Sequence, residues 1–350
     1  MNRTAAVYAL ISAALFGIST PAAKGLMGVV DPIVLAGLLY CGAGIGVAVL
    51  RRVGHAVWAP ANREQYLRKQ DITWLAGAIA AGGIAGPILL MMGLSRTDAA
   101  TTSLLLTLEG AATALMAWFI FHESFDRRIA LGMVLLVAGA ATLAWSGIPT
   151  LESVIGPSAI IGACIMWGFD NNLTRKVSLA DPLQIVEIKG LIAGPVSLLL
   201  GLWAGGALPP LADALLAGIV GFLGYGVSLA LFVVALRHLG AARTGAYFST
   251  APFLGAAVSV FALGYPVTIQ LAVAGSLMAL GVWLHLTERH EHEHIHHPMT
   301  HAHSHEHDEH HQHQHSAEDP LGEPHAHSHE HGWLDHDHPH TPDMHHQHRH

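Results

Sequence analysis

The stretch DPIVLAGLLYCGAGIGVAVLRR, residues 31–52, decides the fold. Its interior, residues 32–50, carries no charge, while an acid stands at its head and two arginines at its foot. At about 1.5 Å of rise per residue, a helix of that length crosses the roughly 30 Å of hydrocarbon in a bilayer. Asp31 is placed to cap the helix, and Pro32 suits its first turn, where an amide hydrogen has no partner to lose. A soluble helix this long would return a polar residue every three or four positions, and this one does not.

Outward from that stretch the same signature recurs. Apolar windows bounded by breakers predict ten transmembrane helices, at 4–26, 32–50, 72–94, 99–121, 128–147, 154–175, 182–204, 211–236, 241–263 and 267–287. Asp181-Pro182 repeats the Asp31-Pro32 start, and Asp71 and Asp98 stand where caps of the third and fourth helices belong. The sixth window reads as the weakest, because Asp170, Asn171 and Asn172 lie inside it. A mean hydropathy of +0.42 with 12% charged residues already excludes an ordinary soluble domain. The only cysteines, Cys41 and Cys164, lie in apolar runs, which argues for packing and against a disulfide or thiolate site. Thr20-Pro21-Ala22-Ala23 only loosely resembles a signal-peptide cleavage site, so the first run is expected to remain as a helix.

The basic residues test the count. With the N-terminus in the cytosol, twelve of the 17 Lys and Arg fall on inside segments: Arg3, Arg51, Arg52, Arg63, Arg68, Lys69, Arg127, Arg128, Arg175, Lys176, Arg237 and Arg243. Only Arg96 falls outside. That bias predicts a multi-pass inner (plasma) membrane protein with both termini cytosolic.

The two halves read as copies. Phe16-Gly17, Lys24 and Asp31-Pro32 parallel Trp167-Gly168, Arg175 and Asp181-Pro182, and Leu94–Ala100 parallels Leu236–Ala242 at an offset of 142. Five spans per copy is an odd number, so the second copy is expected upside down relative to the first. The basic residues follow that inversion: the loop after span two carries five, and its counterpart after span seven carries none. The expected organisation is a first five-helix repeat over 1–147, a second over 148–287, and a tail over 288–350.

Leu15-Phe16-Gly17, Gly93-Leu94-Ser95 with Ala99-Ala100, and His122-Glu123-Ser124 leading to Gly132 and Gly139 together resemble EamA domains of the drug/metabolite transporter superfamily. The resemblance covers residues 5–287. It implies an all-α carrier of small metabolites or drugs, with ten helices and no ATPase domain. The second copy departs from the pattern, with Tyr265-Pro266 where the first has Glu123-Ser124. The turn there is expected to be built differently.

Ionisable groups in hydrocarbon are costly and mark function or a partner. Glu109, mid-way along the fourth span, is the leading candidate for a carboxylate that handles a proton or cation. Asp170, Asn171 and Asn172 could line a substrate path. Lys24 could join that path or reach the interface as an anchor. Glu187 is a further candidate for that path; it and Lys189, two residues apart, do not share a helix face, so a mutual pair is not expected. His122 and His238 fall in turns and His285 near a helix end. The Gly42/Gly46, Gly82/Gly86 and Gly201/Gly205 spacings admit close helix packing, within one chain or with a second copy as a homodimer. Pro87, Pro195 and Pro252 each free a carbonyl and kink a span. Most tryptophans read as an interfacial belt.

The tail is chemically separate. Of 28 histidines, 24 lie between His290 and His350, and HAHSHEH occurs twice, at 301–307 and 325–331. His301, His303, His305, His307, His325, His327, His329 and His331 are the candidate ligands. Imidazole suits Ni, Co, Zn or Cu, with binding that weakens in mild acid. The tail's low hydrophobicity predicts a disordered segment in the absence of metal. No cofactor fingerprint, nucleophile–base pair or basic nucleic-acid patch is present, so neither an enzyme nor a nucleic-acid binder is expected. The lipid bilayer and a small-molecule or metal-ion substrate are the expected partners. Three readings remain open: a metal exporter fed by its tail, a metabolite or drug carrier whose tail senses or buffers metal, and a membrane-anchored metal buffer.

Overall fold

The computed structural model describes residues 3–57, 67, 71–121, 127–145, 151–177, 181–232, 234–235, 247–286, 290–296, 299–305, 325–331 and 334–340. The basic residues Arg63, Arg68, Lys69, Arg237 and Arg243, and the candidates His122, Glu123, Ser124, His238 and His307, lie outside them. Up to residue 286 the described chain is helical. Its elements are α1 (Arg3–Leu26), α2 (Pro32–Val57), α3 (Ile72–Ala78), a π-helical segment π1 (Ile79–Ala85), α4 (Gly86–Arg96), α5 (Ala99–Leu105), α6 (Leu108–Phe121) and α7 (Arg127–Ala144). There follow α8 (Leu151–Lys176), α9 (Pro182–Trp203), α10 (Leu211–Gly221), π2 (Phe222–Val227), α11 (Ala251–Leu263) and α12 (Ile269–Leu286).

Seven of these stretches are long and apolar enough to cross a membrane: Thr4–Leu26, Pro32–Val53, Ile72–Arg96, Ala99–Met116, Ser153–Thr174, Leu183–Trp203 and Leu211–Phe232. Three shorter apolar helices, Ala130–Ala144, Ala251–Leu263 and Ile269–Leu284, coincide with the fifth, ninth and tenth windows of the sequence. The sixth window is not a weak helix, since α8 runs unbroken through Asp170, Asn171 and Asn172. Large side chains such as Ile45, Leu199, Leu215 and Phe261 are exposed, as befits a protein solvated by lipid.

The core lies where α2 packs along α9 and on α10, α8 on α4 and α6, α1 and α5 on α11, and α7 on α12. Glycine makes the α2–α9 seam possible. A Cβ on Gly44 would meet the backbone of Gly190, and one on Gly194 would meet Cys41. Likewise Gly42 faces Gly218, Gly86 faces Trp167 and Gly201 faces Val34, so most of the spaced glycines serve contacts inside one chain.

Helix starts follow the sequence in three of four places. The carboxylate of Asp31 accepts from the amides of Ile33 (2.9 Å) and Val34 (3.3 Å), that of Asp98 from Thr101 (2.8 Å), and that of Asp181 from Leu183 (2.9 Å). Asp71 makes no such bond, because its own backbone is already helical. Pro252 is not a mid-helix kink, since it stands in the first turn of α11, where a missing N–H costs little; Pro87 lies inside the third span, where π1 runs into α4, and frees a carbonyl there. Pro195 does lie inside α9, as do Pro21 in α1 and Pro157 in α8. The Tyr265 turn is closed by Gly264 at φ 72°, a left-handed conformation that ends α11.

Two irregularities occur twice. The π segments interrupt the third and eighth spans 143 residues apart, at Ile79 and Phe222. Gly82 in π1 is seated on the Asp170 side chain, and Gly224 in π2 on the Ser19 side chain. A second break falls in span four, where the Thr107 amide (3.0 Å) and hydroxyl (2.8 Å) both donate to the Leu104 carbonyl. Thr250 does the same to Tyr247 at 3.2 and 2.6 Å, again 143 residues on.

In the tail the backbone forms β1 (His290–His296), β2 (Met299–His305), β3 (His325–His331) and β4 (Leu334–His340), with β1 antiparallel to β4 and β2 antiparallel to β3. A His-x-His-x pattern has the two-residue period of a strand.

Gly44→Ala is expected to lower the melting midpoint of the detergent-purified protein, since one methyl must force two backbones apart at a cost of about 1–3 kcal/mol. Gly25→Ala, a helical position with open space around its would-be Cβ, is expected to leave the midpoint unchanged or raise it. Tryptophan fluorescence melts compare the two.

Candidate functional site

Polar groups gather where α6 and α8 cross behind π1. Glu109 lies mid-way along the fourth span, as the sequence suggested, in the first turn of α6 just after the Thr107 break. Its carboxylate accepts from the Asn171 amide at 3.0 Å. The same Asn171 nitrogen donates to the Thr113 hydroxyl at 3.1 Å, and that hydroxyl donates to the Glu109 carbonyl at 2.9 Å. Among the described residues no Lys, Arg or His forms an ion pair with Glu109.

Asn171 continues the α8 stripe of Ile160, Cys164 and Trp167, all buried, yet Asn171 itself is exposed. Glu109 beside it is half-buried.

The three consecutive polar residues of α8 have three tasks. Asn171 holds Glu109. Asn172 is buried and donates to the carbonyls of Gly168 (2.8 Å) and Thr113 (3.2 Å), tying α8 to α6. Asp170 accepts from the Lys189 ammonium at 2.5 and 2.7 Å and from the Thr174 hydroxyl at 2.8 Å. Both side chains of the Asp170–Lys189 pair are nearly enclosed, at 11% and 13% exposure. Lys189, set aside in the sequence because Glu187 could not reach it, thus has a partner on another helix.

The rest of the cluster comes from residues that sequence reasoning missed. The Gly86 amide donates five residues back, to Ala81, in the wide ladder of π1. The next donor in that ladder would be residue 87, which is proline, so the Gly82 carbonyl is left over. It is satisfied twice, by the Tyr40 hydroxyl (2.9 Å) and the Trp167 indole N–H (3.0 Å). Trp167 is thus a buried structural donor and no part of an interfacial belt. Tyr40 stacks near Tyr225 of π2 (centroids 5.5 Å), Tyr225 near Phe16 (5.8 Å), and Phe16 near Phe248 (5.3 Å). Glu109 lies within electrostatic reach of Asp170, Tyr40 and Tyr225. The signal that could have found this group was the Gly-Gly-x-x-Gly-Pro run at 82–87.

Two candidates are not part of the cluster. The Lys24 ammonium donates to the carbonyls of Leu94 (2.5 Å) and Thr97 (2.7 Å), closing the C-terminal end of α4 against α1. Glu187 accepts from Arg51, which also bridges to Asp181 at 3.1 Å, and Arg52 stands 3.9 Å from Glu187. That network fastens the end of α2 to the start of α9. For His285 and the tail histidines the side chains are not described. Among the described residues no group of three His, Cys, Asp or Glu side chains is placed to hold a metal ion.

Comparison with known proteins agrees with this architecture. The model of the EamA-like transporter family matches residues 3–145 and again 154–287. The chain belongs to the EamA-like transporter family: it is a multi-pass membrane transporter, not an enzyme, and works in a lipid bilayer on a small-molecule substrate. An uncharacterized transporter of Methanothermobacter thermautotrophicus is 27% identical over 81% of this chain and 87% of its own length. The uncharacterized transporter YyaM of Bacillus subtilis is 23% identical over 68% of this chain and 80% of its own. A crystal structure of a protein 17% identical aligns with 81% of this chain and 96% of its own at a TM-score of 0.58, which shows a shared fold.

Lys189→Met leaves Asp170 enclosed without its cation, and it is expected to cost about 3–5 kcal/mol of stability. Asp170→Asn together with Lys189→Met removes both charges and is expected to recover most of that loss. Detergent melts of the single and double variants test this. Equal melts for Lys189→Met and the wild-type protein would mean the pair contributes nothing.

Proposed function

We propose that this chain is a secondary exporter of small organic cations in the inner membrane, and that Glu109 carries a proton and the substrate cation in turn. The observation that carries this reading is a contrast between two carboxylates at one crossing. Asp170 is neutralised by Lys189, whereas the half-buried Glu109 carboxylate accepts from the Asn171 amide and has, among the described residues, no counter-cation. An uncompensated carboxylate in hydrocarbon is costly and is retained where it binds a cation. The nearby Tyr40, Tyr225 and Phe16 rings offer faces that attract organic cations. A group that holds either a proton or a cation exchanges one for the other, so an inward proton gradient drives the cation out.

The carrier has ten crossings in two inverted five-helix repeats, with both termini cytosolic. Support comes from the basic-residue bias, the three shorter apolar helices at the remaining windows, and the doubled π segments and threonine turns. Contacts also swap between copies: Gly17 of α1 is seated on Ala251 of α11, and Gly168 of α8 on Ala112 and Thr113 of α6. In inverted repeats the substrate sits near the midplane, where the copies meet. The cytosolic tail binds Ni, Co, Zn or Cu through His301, His303, His305, His307, His325, His327, His329 and His331 and makes the carrier responsive to metal.

A second reading, metal as cargo, is favoured by the 24 tail histidines alone. Against it, among the described residues no group of three His, Cys, Asp or Glu side chains is placed to hold a metal ion.

In cells expressing the full chain, Glu109→Gln is expected to slow efflux of a preloaded organic cation such as ethidium by on the order of tenfold or more. Efflux equal to wild type would remove Glu109 from the cycle. Cellular nickel, cobalt and zinc are expected to be the same in cells expressing the wild-type chain and in cells expressing Glu109→Gln. Metal lowered by the full chain and restored by Glu109→Gln would make metal the cargo.

A further inference from the structure

The bonds around Asn171 leave its side-chain amide a single orientation. Thr113 has one hydroxyl hydrogen, and it goes to the Glu109 backbone carbonyl at 2.9 Å. The Thr113 oxygen therefore acts as an acceptor towards Asn171, so the atom of the amide that meets it is the nitrogen. The other hydrogen of that nitrogen goes to Oε1 of Glu109. Both hydrogens of Nδ2 are thus spent on side chains of α6, and Oδ1 is left as the open end of the amide.

Among the described residues no hydrogen bond reaches Oδ1 of Asn171, and Glu109 accepts only at Oε1. Asn171 is exposed and Glu109 half-buried, so packing does not close off these residues. Together they present a carboxylate oxygen and a neutral oxygen, two acceptors with no donor left to offer.

One helical turn of α8 already holds an ammonium with that combination. Lys189 gives its hydrogens to both carboxylate oxygens of Asp170 and to the Thr174 hydroxyl at 3.3 Å. An ammonium has three hydrogens, so Lys189 has none to spare for Asn171 or Glu109. The Glu109–Asn171 pair offers the same two kinds of acceptor and lacks the ammonium. A ligand that brings N–H groups on a positive charge forms charge-assisted hydrogen bonds with both oxygens. A quaternary cation brings the charge alone.

We infer that Asn171 is a specificity-determining residue: with Oε2 of Glu109 it selects protonated primary and secondary amines over quaternary cations of the same shape. The inference rests on the reading of Glu109 as the cation site and names the class of cation that site prefers. Glu109 attracts any organic cation, whereas Oδ1 of Asn171 strengthens the binding only of one with a hydrogen to donate. Thr113 is a positioning residue. By holding the second N–H of Asn171 it keeps the amide from turning, and a turned amide would set its own donors against the cation.

The test is displacement of ethidium, followed by its fluorescence, from the detergent-purified full chain. The competitors are phenethylammonium and its N,N,N-trimethyl derivative, which share ring and charge and differ in N–H groups. The primary amine is expected to displace ethidium from the wild-type chain at roughly tenfold lower concentration than the trimethyl cation. Asn171→Leu is expected to bring the two concentrations together. Thr113→Val, a change of nearly equal volume, is expected to narrow the ratio, and Thr113→Ser, which keeps the hydroxyl, to retain it. A merely loosened fold would weaken both competitors alike and leave the ratio unmoved. Equal displacement by the two cations from the wild-type chain, or a wild-type ratio in both Asn171→Leu and Thr113→Val, would overturn the inference while Glu109 remained the cation site. Ethidium that binds Glu109→Gln as tightly as the wild-type chain would overturn the reading of Glu109, and this inference with it.

Discussion

A backbone carbonyl inside a bilayer has no water to turn to, and the arrangement of this transporter follows from one such carbonyl. The π segment at Ile79–Ala85 widens the turn, and Pro87 removes the donor that Gly82 would have used. Tyr40 from α2 and Trp167 from α8 supply the two hydrogen bonds in its place. Three helices are thereby fixed around one atom. The same glycine has no side chain, so Asp170 can lie against it, and Asp170 in turn brings Lys189 of α9 into the group. Once α8 is held at that depth and rotation, Asn171 meets Glu109. The irregular backbone is tolerated here because it is buried in protein.

Charge is distributed unequally between two copies that share their backbone geometry. Gly82 on Asp170 and Gly224 on Ser19 are the same contact in the two halves, and the Thr107 and Thr250 turns are the same turn. Only the first copy follows its threonine with Glu109; at the same 143-residue spacing the second has Pro252. Only the second copy has the Asp170–Lys189 pair. A symmetric scaffold thus holds one neutralised carboxylate and one without a counter-cation. In the exchange proposed above, Lys189 keeps Asp170 out of competition for the cation.

The helical framework was legible because hydrocarbon admits few residue types, and runs such as 32–50 leave no other structure open. Three of the four aspartate caps followed from local chemistry. What lay beyond the sequence were partners set by packing. The sequence places Glu109 62 residues before Asn171, and Lys24 70 residues before Leu94, with nothing in the spacing to join them. Leu106-Thr107-Leu108 is apolar enough to read as unbroken helix, so the turn beneath Glu109 was hidden. Trp167 has the composition of a belt residue, and only its depth reveals it as a donor to Gly82. In the tail the two-residue period was visible, but which strands pair was not.

The exchange at Glu109 is tested most directly by counting protons. Purified full-length protein in weakly buffered detergent solution is mixed with tetraphenylphosphonium while a pH dye is followed. If the cation displaces the Glu109 proton, the wild-type protein releases up to about one proton per cation bound, with a release that varies with pH, and Glu109→Gln releases none. Equal release from the Glu109→Gln variant, or cation binding by the wild-type protein without release at any pH between 5 and 9 (roughly the range over which a buried carboxylate titrates), would contradict it.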